Sequence, residues 1–284
     1  MAYESDIQWF PGHMTKTRRL IEADLKLVDA VAEVVDCRIP ESSRNPMINE
    51  IVANKPRIII LNKCDQADEN ITSEWRKFYE SKGIKTIVCD CRSGKGINRF
   101  LPVLKSELSE LLERRRAKGM IGKALRVMVV GIPNVGKSSF INRMSNSRKT
   151  RVEDRPGVTR GKQWLSLENG MMLLDTPGIL WPKFEDRNVG VRLALIGSIN
   201  DDILNKDDLA LNLISFLGSQ YGGLLHERYE IEEESDEFTL LKGIAVNRKC
   251  FKTGEEPDIS KAAALLLDDF RKGRLGRISL ESPE

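Results

Sequence analysis

The octapeptide Gly131-Ile-Pro-Asn134-Val135-Gly136-Lys137-Ser138 constrains this chain more than any other stretch. It satisfies the pattern G-x-x-x-x-G-K-[ST] in full, and its flanks suit it: Leu125–Val130 reads as a buried strand, and Ser139–Met144 can begin a helix. The glycines let the backbone curl until successive amides converge, and the helix N-terminus adds partial positive charge. Such a loop cradles phosphate oxygens. The segment from Asn134 through Ser139 is the expected cradle; the Lys137 ammonium reaches β- and γ-phosphates, and the Ser138 hydroxyl is a hard ligand suited to Mg²⁺.

A strand–loop–helix of this kind belongs to a layered α/β sheet. Apolar runs at Ala30–Val35, Arg57–Leu61, Lys85–Cys89, Leu125–Val130, Gln163–Leu167 and Met171–Leu174 read as strands. Helical periods fill the gaps, at Met14–Val28, Pro46–Ala53, Ser73–Lys82, Ile97–Lys118 and Lys137–Met144. The alternation predicts a mostly parallel sheet covered by helices. Beyond Pro182 the pattern is helical throughout, without clear buried strands. The expected organisation is an α/β P-loop domain over residues 1–187 and a small all-helical domain over 188–284.

Other loops at predicted strand ends narrow the ligand. Asn62-Lys63-Cys64-Asp65 follows Ile58–Leu61 and fits N-K-x-D. A carboxylate at Asp65 can accept from both N1–H and the 2-amino group of guanine, a pair of donors that adenine lacks. Asn62 can bond the base and a neighbouring loop, while the Lys63 stem covers the ring face. After the next strand, Asp90-Cys91-Arg92 stands where Ser-Ala-Lys is usual; the contact to guanine O6 is a main-chain one, so the Cys91 amide can supply it. Asp175-Thr176-Pro177-Gly178 matches D-x-x-G, in which Asp175 holds Mg²⁺ through water and the Gly178 amide bonds the γ-phosphate. Thr159, within Pro156-Gly-Val-Thr159-Arg160, is placed to close on Mg²⁺ when a γ-phosphate is bound. The ligand is therefore GTP or GDP.

The base-reading loops precede the phosphate-binding ones, the reverse of the usual chain order. Loops at the carboxyl edge of one parallel sheet can still assemble a site if the chain is cut and rejoined elsewhere. The turn Gly119–Gly122 is the expected joint. This order resembles that of the circularly permuted GTPases, and the resemblance spans nearly the whole chain. It includes Trp9-Phe-Pro-Gly-His13-Met14, Asp36-Cys-Arg38-Ile-Pro40 and Ser42-Ser-Arg44-Asn-Pro46; Asp36-Cys-Arg38 departs from the usual Asp-Ala-Arg by one small residue.

The resemblance implies GTP hydrolysis and a GTP-dependent switch acting on the large ribosomal subunit in late assembly, with rRNA contacted by the helical domain; the alternatives are a nucleotide-dependent RNA-binding module with negligible hydrolysis and a permuted GTPase serving small-subunit assembly. The position after D-x-x-G that often carries a water-orienting Gln is Ile179, which cannot do that work. By resemblance His13 takes the role, although it could equally pack or cap the helix that begins beside it. Asn134 matches the asparagine that holds K⁺ in potassium-stimulated GTPases; it could also merely brace the turn, and Arg38, Arg44 or Arg160 could supply the charge instead. His226, in a helical stretch of the second domain, is expected to have no chemical role.

Composition sets the outer bounds. Five cysteines, an odd number without C-x-x-C spacing, read mainly as small apolar residues in a reducing cytoplasm. No apolar run approaches the ~20 residues a bilayer span needs, and Met1–Phe10 lacks the basic-then-apolar pattern of a secretory signal. A net charge of only +3 argues against indiscriminate nucleic-acid binding. Positive charge is concentrated at Arg114–Lys118, where it complements a helix C-terminus, and at Arg271–Arg277, which could lie on RNA phosphate.

Overall fold

The computed structural model describes residues 12–52, 55–146, 151–152, 163–167, 170–176, 178, 180, 186–201, 204–232 and 234–283. The described chain forms two compact units. One takes in the described parts of Gln8–Cys64, Asp68–Lys183 and Glu281–Glu284; the other, those of Asp65–Ala67 and Phe184–Leu280.

The first unit is built on a sheet. Its strands are β1 (Ala30–Asp36), β2 (Arg57–Asn62), β3 (Lys85–Val88), β4 (Leu125–Val130), β5 (Arg151–Val152), β6 (Gln163–Leu167) and β7 (Met171–Asp175). Among the described residues they lie in the order β3-β2-β1-β4-β7-β6-β5. Pairing is parallel from β3 through β7, and antiparallel where β6 meets β7 and β5. The two-residue β5 carries no apolar run, which is why periodicity does not announce it.

Every residue of β1 is buried, as expected of a strand flanked by parallel neighbours with both faces covered. On one face α1 (Gly12–Leu25) and α2 (Pro46–Val52) pack over the sheet. Ile21 and Leu25 of α1 and Ile48 and Val52 of α2 join Val31, Met128, Val130, Trp164 and Leu174 in one apolar cluster. Ile21 and Leu25 are four residues apart and so share a helix face. Each fully buried side chain of this size contributes about 1.5–3 kcal/mol.

Helix α3 (Glu69–Ser81) starts where Asp68 accepts from the amides of Asn70 and Ile71, and it turns Thr72, Trp75 and Tyr79 inward. The expected single helix over 97–118 is interrupted. A 3₁₀ turn at Ile97–Arg99 leads into α4 (Phe100–Glu107), and a break at Leu108 separates it from α5 (Ser109–Ala117). The break is mild: the Leu108 amide still reaches Leu104 O at 3.0 Å, and Leu112 reaches Leu108 O at 2.9 Å. Pro102 sits in the first turn of α4, where its missing N–H has no helical partner to lose. Helix α6 (Lys137–Asn146) follows the phosphate loop.

The second unit is helical: α7 (Arg187–Leu195), α8 (Lys206–Gln220), α9 (Leu224–Tyr229), α10 (Glu237–Asn247) and α11 (Ile259–Arg271). Asn205, Asp236 and Asp258 cap α8, α10 and α11 with side-chain oxygens. Leu213 and Leu217, Leu241 and Ile244, and Leu266 and Phe270 fill its core from three helices. Two arginines of the C-terminal basic run are engaged inside this unit. Arg271 donates to Asp201 Oδ1 at 2.7 Å and to the carbonyls of Ala194 and Leu195, closing the end of α7. Arg274 donates to the buried Asp269 at 3.0 Å, which also accepts from Arg228 and Tyr229.

Glu281 belongs again to the first unit. Its carboxylate accepts from the Glu41 amide at 2.6 Å and the Ser42 amide at 2.9 Å, and also from Ser42 Oγ; its carbonyl accepts from Trp75 Nε1 at 3.1 Å. Charge-assisted hydrogen bonds to such a carboxylate are worth roughly 1.5–3 kcal/mol. Glu281→Ala is therefore expected to destabilise the fold by about 1–3 kcal/mol. Urea unfolding followed by tryptophan fluorescence reads this, and an unchanged midpoint would show the tail to be ornamental.

Candidate nucleotide site

Asn62 closes β2 and is almost fully buried. Its carboxamide bonds in two directions. Nδ2 donates to Val135 O of the phosphate loop at 2.8 Å, and Oδ1 accepts from the Cys91 amide at 2.9 Å. Three loops far apart in the chain are thus tied to one side chain. The approach demands a glycine opposite: a Cβ at Gly136 would lie 2.2 Å from Asn62 Nδ2, and Gly136 has φ +95°. At the start of the same loop, a Cβ at Gly131 would meet Val34 O at 2.6 Å.

Lys63 follows with φ +62°, uncommon for a residue with a side chain. Its ammonium donates to Asn134 O at 2.6 Å and sits 2.9 Å from Asp36 Oδ2. Asp36 ends β1 directly beside Asn62 in the strand register. It is wholly buried, as is Arg38, whose fork donates to both carboxylate oxygens at 2.8–2.9 Å. Burial alone would raise the Asp36 pKa; the charges and hydrogen bonds of Arg38 and Lys63 outweigh it and hold the carboxyl well below the usual range.

Cys91 lies in a turn organised by Asp90, which accepts from the Arg92 amide at 2.8 Å and the Ser93 amide at 3.1 Å. This explains the departure from Ser-Ala-Lys: Asp90 makes the same kind of local side-chain-to-backbone bond a serine would. The Cys91 amide expected for guanine O6 is donated here to Asn62, so a guanine oxygen would have to share that donor. Gly96 completes the turn at φ +82°, where a Cβ would strike Val88 O at 2.3 Å.

On the phosphate side, Lys137 Nζ lies 2.7 Å from Asp175 Oδ1, and Ser138 and Ser139 are exposed at the start of α6. Thr176 Oγ1 donates to Val129 O at 2.7 Å, fixing D-x-x-G to the strand that leads into the phosphate loop. Gly178 faces that loop closely enough that a Cβ would sit 3.1 Å from Pro133 N. A hydroxyl and a carboxylate are the hard oxygen donors that Mg²⁺ takes, so Ser138 and Asp175 fit the ion.

The remaining expected residues fall elsewhere. Asp65 is half-buried and groups with Gln66 and Ala67 in the helical unit. His13 lies in the first turn of α1, and its side chain is outside the described residues, as are all of Thr159 and Ile179. The link from Asp36 and Arg38 to Lys63 was not read from the sequence. The sequence offers Asp36-Cys-Arg38 as a motif beside a strand end, but the register that brings it to Lys63 is a property of the fold.

The comparisons agree with this geometry. A family model described as "50S ribosome-binding GTPase" matches residues 126–246. The Ribosome biogenesis GTPase A of Priestia megaterium is 47% identical over 98% of this chain and 97% of its own length. The chain belongs to the Ribosome biogenesis GTPase A family. The Thermotoga maritima Ribosome biogenesis GTPase A is 34% identical over 98% of this chain and 95% of its own. The GNP-bound crystal structure of YlqF from T. maritima matches with a TM-score of 0.66 at 30% identity, covering 95% of this chain and 99% of that one. This is a GTPase of ribosome biogenesis, built on a circularly permuted P-loop domain with a helical region after it. Its ligand is a guanine nucleotide, with which GTPases typically carry Mg²⁺. Among the described residues no helix is long and apolar enough to cross a membrane.

Two outcomes follow from the geometry. Gly136→Ala should raise the Kd for fluorescent GDP by at least about 100-fold, because the Cβ separates Asn62 from the phosphate loop. Near-wild-type affinity would mean the Asn62 bond is dispensable. Since the Asp36 carboxyl ionises more readily folded than unfolded, it stabilises the native state above roughly pH 4 and loses that contribution as pH falls further. Asp36→Asn should therefore flatten the acid limb of the stability–pH profile.

Proposed function

We propose that this GTPase acts on the large ribosomal subunit, as a GTP-dependent switch in its late assembly in the cytoplasm. The observation that carries the nucleotide part of the reading is the Asn62 carboxamide, which joins the base-reading loop to the phosphate loop. In this reading Asp65 selects guanine. The amides from Asn134 through Ser139, with Lys137 and the Gly178 amide, hold the phosphates. Ser138, Asp175 and Thr159 hold Mg²⁺, which supplies charge neutralisation at the phosphates. His13 orients the attacking water, since Ile179 stands where a Gln often does. In the same reading Asn134, which is exposed and has φ +64°, holds K⁺ near the phosphates.

Phosphoryl transfer depends on positioning and electrostatics rather than covalent catalysis, so a site lacking one rigid water-orienting group turns over slowly until a partner completes it. The family description and the name "Mitochondrial ribosome-associated GTPase 1" of a Bos taurus relative, 34% identical over 96% of this chain and 88% of its own, support a ribosomal partner. We assign the nucleotide domain to residues 1–187 and rRNA contact to the helical domain, 188–284. Arg271 and Arg274 already serve Asp201 and Asp269, so RNA contact would draw on other basic side chains of that domain.

Co-sedimentation with separated subunits tests the partner: GTP-dependent pelleting with the large subunit is expected, and pelleting with the small subunit alone overturns the assignment. Single-turnover hydrolysis tests the chemistry. Large subunits in K⁺ should stimulate it more than in Na⁺, and His13→Ala should lower the stimulated rate by roughly 100-fold or more while leaving GTP affinity within a few-fold. Asp65→Ala should abolish preference for GTP over ATP.

A further inference from the structure

Lys63 is held from two sides, by Asp36 at the end of β1 and by Asn134 O of the phosphate loop. Asp36 and Arg38 are buried to within 1% of complete, yet both are charged. Arg38 makes three hydrogen bonds to Asp36: its amide to Oδ1 at 3.1 Å, Nε to Oδ1 at 2.9 Å and Nη2 to Oδ2 at 2.8 Å. Ser43 Oγ accepts from the Asp36 amide at 3.0 Å, so the backbone beneath the carboxylate is fixed as well. A planar guanidinium engaging both carboxylate oxygens removes the rotational freedom of each.

The remaining capacity of Asp36 Oδ2 goes to Lys63 at 2.9 Å. A free lysine has many rotamers, and a ligand covered by its stem would otherwise have to offset the entropy of freezing them. Here the ammonium is anchored between Asp36 and Asn134 O, 2.6 Å away in the phosphate loop. The charges also matter. Arg38 neutralises Asp36, leaving one net positive charge in the cluster, and the shared oxygen keeps that charge turned into the protein.

We propose that Asp36 is a positioning residue for nucleotide affinity: with Arg38 behind it, it fixes Lys63 so that the lysine stem is laid in advance where the guanine ring rests. The proposal relies on Asn62–Asp65 being the base-reading loop. Asp36 itself touches no nucleotide; it acts only through Lys63.

Equilibrium and stopped-flow measurements with fluorescent GDP on the full chain separate the possibilities. Asp36→Asn should weaken GDP binding about tenfold, mainly through faster release, and Lys63→Met by a similar factor. The double variant Asp36→Asn with Lys63→Met should be no weaker than Lys63→Met alone, since the carboxylate has nothing left to position. Losing Asp36 strands Arg38 in the interior, so Asp36→Asn with Arg38→Met supplies the control: it should recover much of the urea midpoint and still bind GDP weakly. Wild-type affinity in that control, or losses that multiply in the double variant, would overturn the positioning role while leaving the base-reading loop intact. Unchanged affinity in Lys63→Met would likewise overturn the positioning role, whereas Asp65→Ala with GTP preference intact would overturn the base-loop reading and this proposal with it.

Discussion

One carboxamide carries the assembly of this site. Asn62 offers a donor and an acceptor on the same planar group, and the two neighbouring loops present a carbonyl at Val135 and an amide at Cys91. An aspartate would lose the donor and an aliphatic residue both. Because Asn62 is buried, a failed bond would leave polar groups without water to replace it, which costs roughly 1–3 kcal/mol per group. The bonds connect loops by position on the sheet edge and ignore their order along the chain. That is why a chain that begins with the base-reading half can build the same constellation as one that begins with the phosphate half. What matters is that β2 lies between β1 and β3, and that the loop after β4 reaches across the end of β1.

A strand buried along its whole length nevertheless carries two carboxylates. Glu33 and Asp36 both lie in β1. Glu33 faces Arg44 at 3.4 Å and Arg57 at 3.5 Å, and the two arginines share Asn49 as a further acceptor. Its partners stand off, burial dominates, and its pKa is raised. Asp36 has partners at 2.8–2.9 Å, and its pKa is lowered. Buried ion pairs contribute little net stability compared with a well-packed apolar core. What they provide here is direction: the segment from Asp36 to Asn45 is folded back so that Arg38 and Arg44 each meet a carboxylate of the strand they have just left.

The parts of this structure that were legible in the sequence are those set by local pattern. The strands at Ala30, Arg57 and Leu125 are long apolar runs, and periodicity finds them. The start of α3 is a matter of one aspartate, Asp68. The phosphate loop is legible because glycine and lysine are needed at fixed offsets whatever surrounds them. What stayed hidden depends on pairing across the fold. Arg271 and Arg274 look like a nucleic-acid patch when charge is counted along the chain, but Asp201 lies 70 residues from Arg271 and only the fold brings it to 2.7 Å. The break at Leu108 is likewise invisible to period, since apolar residues continue on both sides of it. Cys91 shows a third kind of limit: a sequence does not say which acceptor an amide already has, and this one is donated to Asn62.

The backbone at Lys63 shows how the base loop is kept in shape. Lys63 and Asn134 both adopt left-handed conformations, with φ +62° and +64°. For asparagine this is nearly free, since its short polar side chain can satisfy itself locally. For lysine it costs on the order of 1 kcal/mol or more and persists only where surrounding contacts over-determine it. The two residues meet, with Lys63 Nζ donating to Asn134 O. The strained residue is thus secured by a bond to the tolerant one and by an ion pair to a buried carboxylate.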